Sequence, residues 1–376
     1  MLALRVVLAL LAAVIVVATV LPLSRSGAWW VRMFDFPRLQ IAALGLAVLI
    51  GYAVVLVVGG ASGWEGAALA VLGGAVIAQA LQMRPYSPLH EVQTARVDRA
   101  TVDPDRRLRL VATNVLMQNR DGERWLREIR RAAPDVVAAV ETDEWWAEQA
   151  EGLTDLLPHT RFVPQDDTYG MCLLSRHPLE SVEVRHLVED EVPSLWATVR
   201  LPCGDVVSLT VLHPRPPRPD IQQDSDLRDA ELVLAGRDLS ERDGPVVIVG
   251  DLNDVAWSHT TRLFQRVSGL LDPRVGRGPF STFHADHWWL RYPLDHVFHS
   301  DHFAISELRR LGHVGSDHFP ILAELSLVPE RIEDEQTAPD AGAEEHAEGD
   351  AKVEEARQQK ADESPEEHAE RVEEDQ

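Results

Sequence analysis

The chain has 376 residues and a formal net charge of −24, which leaves room for one large domain with accessory segments. Residues 330–376 contain 19 acidic and 5 basic side chains, so they carry −14 of that charge and leave −10 for the rest. This balance argues against a wide basic groove for non-specific DNA binding, but it is compatible with a compact phosphate-cleaving site.

The first 85 residues predict a membrane anchor. Apolar segments run over about residues 2–23, 39–60 and 67–83, and spanning a bilayer takes roughly 17–25 apolar residues. The first segment alone would also fit a signal peptide, but the two that follow favour three transmembrane helices. We therefore expect a multi-pass protein of the cell membrane, with a linker over residues 86–103.

The orientation of this anchor depends on the loop between the first two spans. That loop carries Arg25, Arg32 and Arg38, against Arg5 on the opposite side. The positive-inside tendency places the loop in the cytoplasm, and three spans would place the following domain there too. The loop is also rich in aromatic residues, which suit either membrane interface, so both orientations stay open.

Residues 104–328 have the pattern of a globular α/β (α+β) domain. Short apolar strands such as "RLRLVATNV", "VVSLTVLH" and "VVIVG" alternate with amphipathic segments such as "ERWLREIRRA". Many strands with a few helices between them predict two packed mixed β-sheets flanked by helices. The two cysteines, Cys172 and Cys203, lack metal-ligand spacing, and we expect them to be buried thiols.

Polar side chains recur where the predicted strands begin or end. Each alone is typical of a turn, but together they offer carboxylates for a hard divalent ion, imidazoles for proton transfer and amides for phosphate oxygens. This set predicts metal-assisted hydrolysis of a phosphate ester. Its members are Asn114, Glu141, His213, Asp251, Asn253, Asp295, Asp317 and His318.

These residues lie in motifs that resemble the endonuclease/exonuclease/phosphatase superfamily, which includes deoxyribonuclease I and exonuclease III. The motifs "ATNV", "AVET", "YGMCLLSRHPL", "LTVLHPRP", "VVIVGDLND", "YPLDHVF" and "GSDHFPI" occur in the family order over residues 107–327. The resemblance implies a four-layer α-β-β-α sandwich of two mixed β-sheets, preceded here by the three apolar helices.

The resemblance also implies roles for the matching residues. Glu141 would be the main ligand of Mg²⁺ (or Mn²⁺), Asp317 would lie at the metal, and Asn114 would support the metal or bind the phosphate. Asp251 would orient or activate the attacking water or act on the leaving group, and Asp295 would orient His318. His213, Asn253 and His318 would contact the phosphate, with His318 also available for acid–base work.

The substrate is left open by the sequence. We expect a membrane-anchored Mg²⁺-dependent phosphoesterase acting on phosphodiester or phosphomonoester bonds. The alternatives are a nuclease acting on DNA or RNA, a hydrolase of lipid-linked phosphate, pyrophosphate or sphingomyelin at the cell envelope, and an inactive scaffold.

Two segments have no assigned catalytic role. In "FHADHWWLRYPL", Trp288, Trp289 and Arg291 either form a loop on the substrate side of the site or pack on a sheet edge. Residues 329–376 are acidic and poor in large apolar side chains, so we expect a disordered tail that solvates the protein or binds a basic partner.

Overall fold

The computed structural model describes residues 1–60, 62–216, 224–328 and 340–362. Its α-helices are α1 (Leu2–Val20), α2 (Trp29–Arg32), α3 (Arg38–Gly59), α4 (Gly63–Met83), α5 (Gly122–Ala132), α6 (Glu144–Glu151), α7 (Asp226–Ser240), α8 (His259–Ser268) and α9 (Ala343–Asp362). Its strands are β1 (Arg107–Asn114), β2 (Val136–Val140), β3 (His159–Val163), β4 (Met171–Ser175), β5 (Leu179–Arg185), β6 (Ser194–Arg200), β7 (Val206–Val211), β8 (Val246–Asp251), β9 (Asp295–His299), β10 (Phe303–Arg310) and β11 (Ile321–Leu327).

The strands form two mixed sheets, as the sequence predicts. One sheet has six strands in the order β10-β11-β1-β2-β4-β3, and the other has five in the order β5-β6-β7-β8-β9. Each sheet contains one parallel pair, β1 with β2 and β7 with β8, and its other pairs are antiparallel. The predicted fold class is therefore confirmed.

Aliphatic side chains hold the two sheets face to face. Leu110, Val140, Val211 and Val249 belong to the buried cluster between them. Helices α5 and α6 cover the outer face of the six-stranded sheet through a second cluster, and α7 and α8 cover the five-stranded sheet through a third. The result is the four-layer arrangement, with each sheet buried on both faces.

Several helices begin at side-chain caps that the sequence supplies. Asp121 accepts a hydrogen bond from the Arg124 backbone N–H at the start of α5, and Ser258 accepts one from Thr261 at the start of α8. Such caps satisfy backbone donors that would otherwise lack a partner in the first turn. Helix α8 ends at Gly269 in the left-handed region, which glycine adopts at little cost.

Three helices of the described residues are long and apolar enough to cross a membrane, over Leu2–Ser24, Arg38–Gly59 and Gly63–Tyr86. They pack together through small apolar contacts that include Ile15, Val48 and Leu72, whereas most of their remaining apolar side chains are exposed. This outward-facing apolar surface is typical of helices that contact lipid.

The loop after α1 lies against the globular domain rather than apart from it. Arg32 donates to Asp254 at 3.1 Å, and Trp257 donates to the backbone oxygen of Asp35 at 2.7 Å. Loop and domain therefore lie at the same end of the three helices. Arg25 and Arg38 also form ion pairs, with Glu348 and Asp35 respectively. The positive charge of this loop is therefore neutralised by carboxylates of the same chain.

The prediction of a disordered tail over residues 329–376 is wrong for residues 343–362, which form α9. This helix packs on α7 with Val353 and Ala356 buried, and Lys352 donates to the buried Asp229 at 2.8 Å. Two apolar side chains and one paired lysine thus anchor a helix whose composition is otherwise that of a solvated segment. Residues 329–339 and 363–376 lie outside the described residues.

The two cysteines are free, with Cys172 buried and Cys203 partly buried.

Candidate active site

The predicted site residues come together where the parallel strand pairs end. Asn114 ends β1, Glu141 follows β2, His213 lies just beyond β7 and Asp251 ends β8. The antiparallel β9 begins at the same edge with Asp295. Carboxyl ends of parallel strands meet at one edge of a sheet, so the sandwich gathers side chains from both sheets into one cleft.

Asn114 connects the two sheets across this cleft. Its side-chain amide donates to Glu141 Oε1 at 2.6 Å and to Asp251 Oδ2 at 3.1 Å. Its own oxygen accepts the Leu116 backbone N–H at 2.9 Å, which fixes which end of the amide faces the carboxylates. Two carboxylates from different sheets therefore share one amide donor.

His318 lies between two buried carboxylates. Its Nδ1 bonds Asp295 Oδ2 at 2.8 Å, and its Nε2 lies 3.5 Å from Asp251 Oδ2. Burial alone would lower the pKa of His318. The negative charges of Asp295 and Asp251 have the larger effect and raise that pKa to about 10. The imidazole is thus held in its protonated form, oriented by one carboxylate and directed toward the other.

The loop after β8 orders the remaining polar groups. The backbone N–H of Asn253 donates to Asp251 Oδ1 at 2.9 Å, and the Asn253 side chain donates to the Pro214 carbonyl at 2.9 Å. His213 Nδ1 donates to the Asp251 carbonyl at 3.1 Å. His213 Nε2 consequently faces Glu141, whose Oε1 is 3.9 Å away.

Two of these residues hold an uncommon backbone conformation. Glu141 has φ 60° and Asn253 has φ 51°, in the left-handed region that costs a side-chain-bearing residue free energy. Gly250 has φ 146°, and a Cβ there would lie 1.9 Å from the Leu212 carbonyl oxygen. The site geometry is therefore maintained by close backbone packing at the strand ends.

The donor set fits a divalent cation. Among the described residues, no arginine or lysine forms an ion pair with Glu141, Asp251 or Asp295, and the nearest basic groups are the imidazoles of two histidines. Asp295 Oδ1 is buried and has no hydrogen-bond partner among those residues. Burial raises the pKa of Glu141, and a bound cation would stabilise its charged form.

Two groups of side chains could hold that cation. Asp251, Asp295 and His318 have ligand atoms within 4.8 Å of one another. Both ring nitrogens of His318 already face carboxylates. Glu141 offers a further carboxylate in the same cleft. Asn114 turns its N–H groups, not its oxygen, toward that carboxylate, so its predicted role as a ligand lacks geometric support here.

Asp317 lies beside His318 rather than against Glu141. Its carboxylate accepts a bond from Ser316 at 3.4 Å and helps to raise the pKa of His318. No contact among the described residues joins it to Glu141 or Asn114. Its predicted role as a metal ligand therefore has less geometric support than that of Glu141.

Sequence reasoning missed several residues that shape the site. Tyr169 is buried with its ring 5.8 Å from that of His213, Thr282 accepts the Asp295 backbone N–H, and Arg228 donates to the Asn253 carbonyl at 2.8 Å. Tyr169 lies within the recognised motif "YGMCLLSRHPL", so that motif could have identified it as a site residue. Thr282 and Arg228 lie in no recognised motif.

A two-sheet sandwich with carboxylates, amides and imidazoles gathered at its strand ends defines a metal-dependent hydrolase of phosphate esters. The family model described as "Endonuclease/Exonuclease/phosphatase family" matches residues 111–318, more than half of the chain. The chain belongs to this family. The resemblance is thereby confirmed over the matched residues, and so is the class of enzyme.

Solved structures show the same fold. Zebrafish (D. rerio) TDP2 complexed with single strand DNA product matches with a TM-score of 0.51 and 16% identity, covering 58% of this chain and 99% of that one. A humanized D. rerio TDP2 gives 0.50 and 17%, with the same coverage. The human Nocturnin catalytic domain with bound sulfate gives 0.50 and 18%, covering 60% and 97%. The comparison with curated proteins finds no match.

Proposed function

We propose that the protein is a membrane-anchored, Mg²⁺-dependent phosphoesterase that hydrolyses phosphodiester or phosphomonoester bonds by attack of water. The observation that carries this proposal is His318 held between Asp295 and Asp251, next to the Glu141 carboxylate that shares an amide with Asp251. One cleft thus offers a cation site, a base and a fixed positive charge.

Glu141 would hold the cation, and the Asn114 amide would orient its carboxylate. Bound Mg²⁺ would neutralise charge on the phosphate oxygens and position the scissile group. Mn²⁺ has a similar preference for oxygen ligands and is expected to substitute. Asp317, one residue from His318, adds negative charge that favours the imidazolium.

The remaining side chains would act on water and phosphate. Asp251 is oriented through both oxygens, by Asn253 N–H and by Asn114, and can accept the proton of the attacking water. Asn253 and His213 would donate to phosphate oxygens. The His318 imidazolium, oriented by Asp295, would stabilise charge that develops on phosphorus or protonate the leaving oxygen.

The three apolar helices support anchoring in the cell membrane, with the catalytic domain following the third span. The domain contacts the loop between the first two spans through buried groups, including Arg32 and Asp254. A rigid connection of this kind would keep the cleft at a fixed height above the bilayer.

The substrate branches are a nucleic acid and a lipid-linked phosphate. One structure in this fold holds a single strand DNA product, so single-stranded DNA is a necessary test substrate. An inactive scaffold is disfavoured because Glu141, Asp251 and His318 are all present in one cleft.

The proposal is tested with the full-length protein in lipid nanodiscs. Hydrolysis of methyl p-nitrophenyl phosphate, p-nitrophenyl phosphate and single-stranded DNA would be measured with Mg²⁺ and with a chelator. We expect Mg²⁺-dependent turnover of at least one substrate, and a loss of about 10²–10⁴-fold in kcat for His318→Ala. Undiminished activity in that variant, or equal rates with the chelator, would reject the mechanism.

A further inference from the structure

A short β-hairpin projects from the edge of the active site. Residues 282–292, called the tryptophan hairpin, are closed by an antiparallel bridge between Phe283 and Tyr292. The backbone N–H of Thr282 also donates to the Tyr292 carbonyl at 3.0 Å. The hairpin therefore has a fixed base, and residues 284–291 form its tip.

The base of the hairpin touches the catalytic groups directly. The ring of Phe283 lies 5.0 Å from the ring of His318. The backbone N–H of Ala285 donates to the Asp317 carbonyl at 2.6 Å, and Thr282 Oγ1 accepts the Asp295 N–H at 3.2 Å. A ligand that contacts the hairpin tip thus lies next to the mouth of the cleft.

The tip exposes large apolar side chains to the surroundings. Trp288 is 74% exposed, Trp289 54% and Leu290 37%. Outside residues 1–83, the other exposed large apolar side chains among the described residues are Leu89 and Val92. The tryptophans do not pack on a sheet edge, so the interpretation as a projecting loop agrees with the structure.

The hairpin is also attached to the anchor. Gln40, in the first turn of α3, donates to the backbone oxygen of Trp289 at 2.6 Å. The ring of Phe36, just before that helix, packs edge-on against Tyr292 at 5.7 Å. The exposed tryptophans are therefore level with the end of an apolar helix that is long enough to span a bilayer.

We infer that the tryptophan hairpin inserts into the bilayer interface and that the site hydrolyses the phosphate ester of a membrane lipid presented beside it. Tryptophan prefers the membrane–water interface, where its ring is apolar and its N–H is hydrated. The lipid substrate rests on the proposed function, since the same cleft performs the hydrolysis.

The dimensions are compatible with this placement. Trp288 lies five positions after Phe283, and five extended residues span at most about 18 Å. Each polar interfacial layer of a bilayer is about 5–8 Å thick. A phosphate headgroup that is lifted slightly from the interface would therefore reach the cleft while its chains stay in the bilayer.

Positive charge lies at the base of the hairpin, next to the residue that follows His318. The guanidinium groups of Arg291 and Arg310 lie over the ring of Phe319, 5.1 and 4.3 Å from its centroid, and Phe319 follows His318. Arg291 also donates to the Ala285 carbonyl, and Arg310 to Ser281. Such fixed cations favour an anionic phosphate at the bilayer surface.

The test compares two substrates with the same scissile bond, using full-length protein in phosphatidylcholine nanodiscs. Hexadecyl p-nitrophenyl phosphate resides in the bilayer, whereas methyl p-nitrophenyl phosphate stays in water. For the double variant Trp288→Ser/Trp289→Ser we expect kcat/KM to fall about tenfold or more on the hexadecyl ester. On the methyl ester we expect a change within about twofold.

Two further variants make the result specific. Trp288→Tyr/Trp289→Tyr keeps two interfacial rings and should retain most of the activity on the hexadecyl ester. Trp30→Ser removes a tryptophan that is exposed at the same end of the helices but lies outside the hairpin, and it should leave both rates unchanged. These variants distinguish membrane contact from a general effect on folding.

Other outcomes would overturn the lipid assignment. An equal loss on both esters would make the hairpin a structural support of His318, and no loss on either would deny it a role. Faster Mg²⁺-dependent cleavage of single-stranded DNA than of the hexadecyl ester would identify a nuclease. If the wild type hydrolyses no ester and no DNA with Mg²⁺, the proposed function itself fails.

Discussion

The two halves of the sandwich are supported in different ways. The half that carries Asn114 and Glu141 is covered by α5 and α6, and its outer helix surface bears solvent-exposed pairs such as Arg127 with Glu123. The half that carries Asp251 is covered by α7 and α8. Both α9 and the loop between α1 and α3, called the anchor loop, pack against this half. One half is self-contained, and the other depends on distant parts of the chain.

Buried charges make this second connection. Arg32 of the anchor loop, Arg228 of α7 and Lys352 of α9 all pair with Asp229, and the two arginines also reach Asp254. Arg228 in addition holds the Asn253 carbonyl. The anchor loop and α9, which are far apart in the sequence, therefore both stabilise the loop that orients the proposed catalytic base.

Arg32→Met should produce the largest change in stability in this half. It leaves Asp254 and Asp35 buried without one of their cations, and breaking a buried ion pair from one side costs about 3–5 kcal/mol. We expect a clearly lower midpoint of thermal unfolding for the catalytic domain in nanodiscs.

Arg127→Met on α5 is the matched control, because it breaks an exposed ion pair of the self-contained half. Its melting curve should overlay that of the wild type. Equal midpoints of thermal unfolding for Arg32→Met and wild type would show that the anchor loop does not stabilise the half that carries Asp251.

A smaller effect is expected from pH through Asp229. Burial raises the pKa of this carboxyl, but Lys352, Arg228 and Arg32 lower it well below its usual range. A carboxyl with a depressed folded-state pKa stabilises the fold above its unfolded value of about 3.9, and that stability is lost as the pH falls below it. The loss is about 1.4 kcal/mol per pH unit.

Asp229→Asn should remove this acid-side slope while lowering the stability at every pH, because three cations lose a carboxylate. Thermal unfolding followed from pH 6 downward measures the slope, with Glu123→Gln on the exposed face of α5 as control. A variant slope equal to that of the wild type would show that Asp229 does not titrate differently in the two states.

The sequence predicted the fold and the gathering of the site from local patterns. Apolar runs defined the strands. Polar residues at their ends, such as Asn114 and Asp251, met because the parallel pair of each sheet ends at the same side of the sandwich. The predicted four-layer class and family resemblance were correct for this reason.

The sequence did not predict the contacts between distant segments. The ion pairs of Arg32 and Lys352 join residues about 200 and 120 positions apart, and no local pattern encodes such pairing. Residues 343–362 were predicted to be solvated because charge dominates their composition, whereas Val353 and Ala356 are buried against α7 and Lys352 pairs with Asp229. Arg228 and Thr282 were missed because they contact the site only through backbone groups.

In the proposed mechanism the same comparison divides the chemistry, with the cation on the Glu141 side and proton transfer on the His318 side. Binding of Mn²⁺ to the full-length protein, followed by the electron paramagnetic resonance signal of the free ion, tests this directly. Glu141→Gln should weaken Mn²⁺ binding at least about tenfold. His318→Ala should leave it unchanged or tighter, because a positive charge is removed. Loss of Mn²⁺ binding in His318→Ala with retention in Glu141→Gln would place the ion among Asp251, Asp295 and His318 and contradict the account.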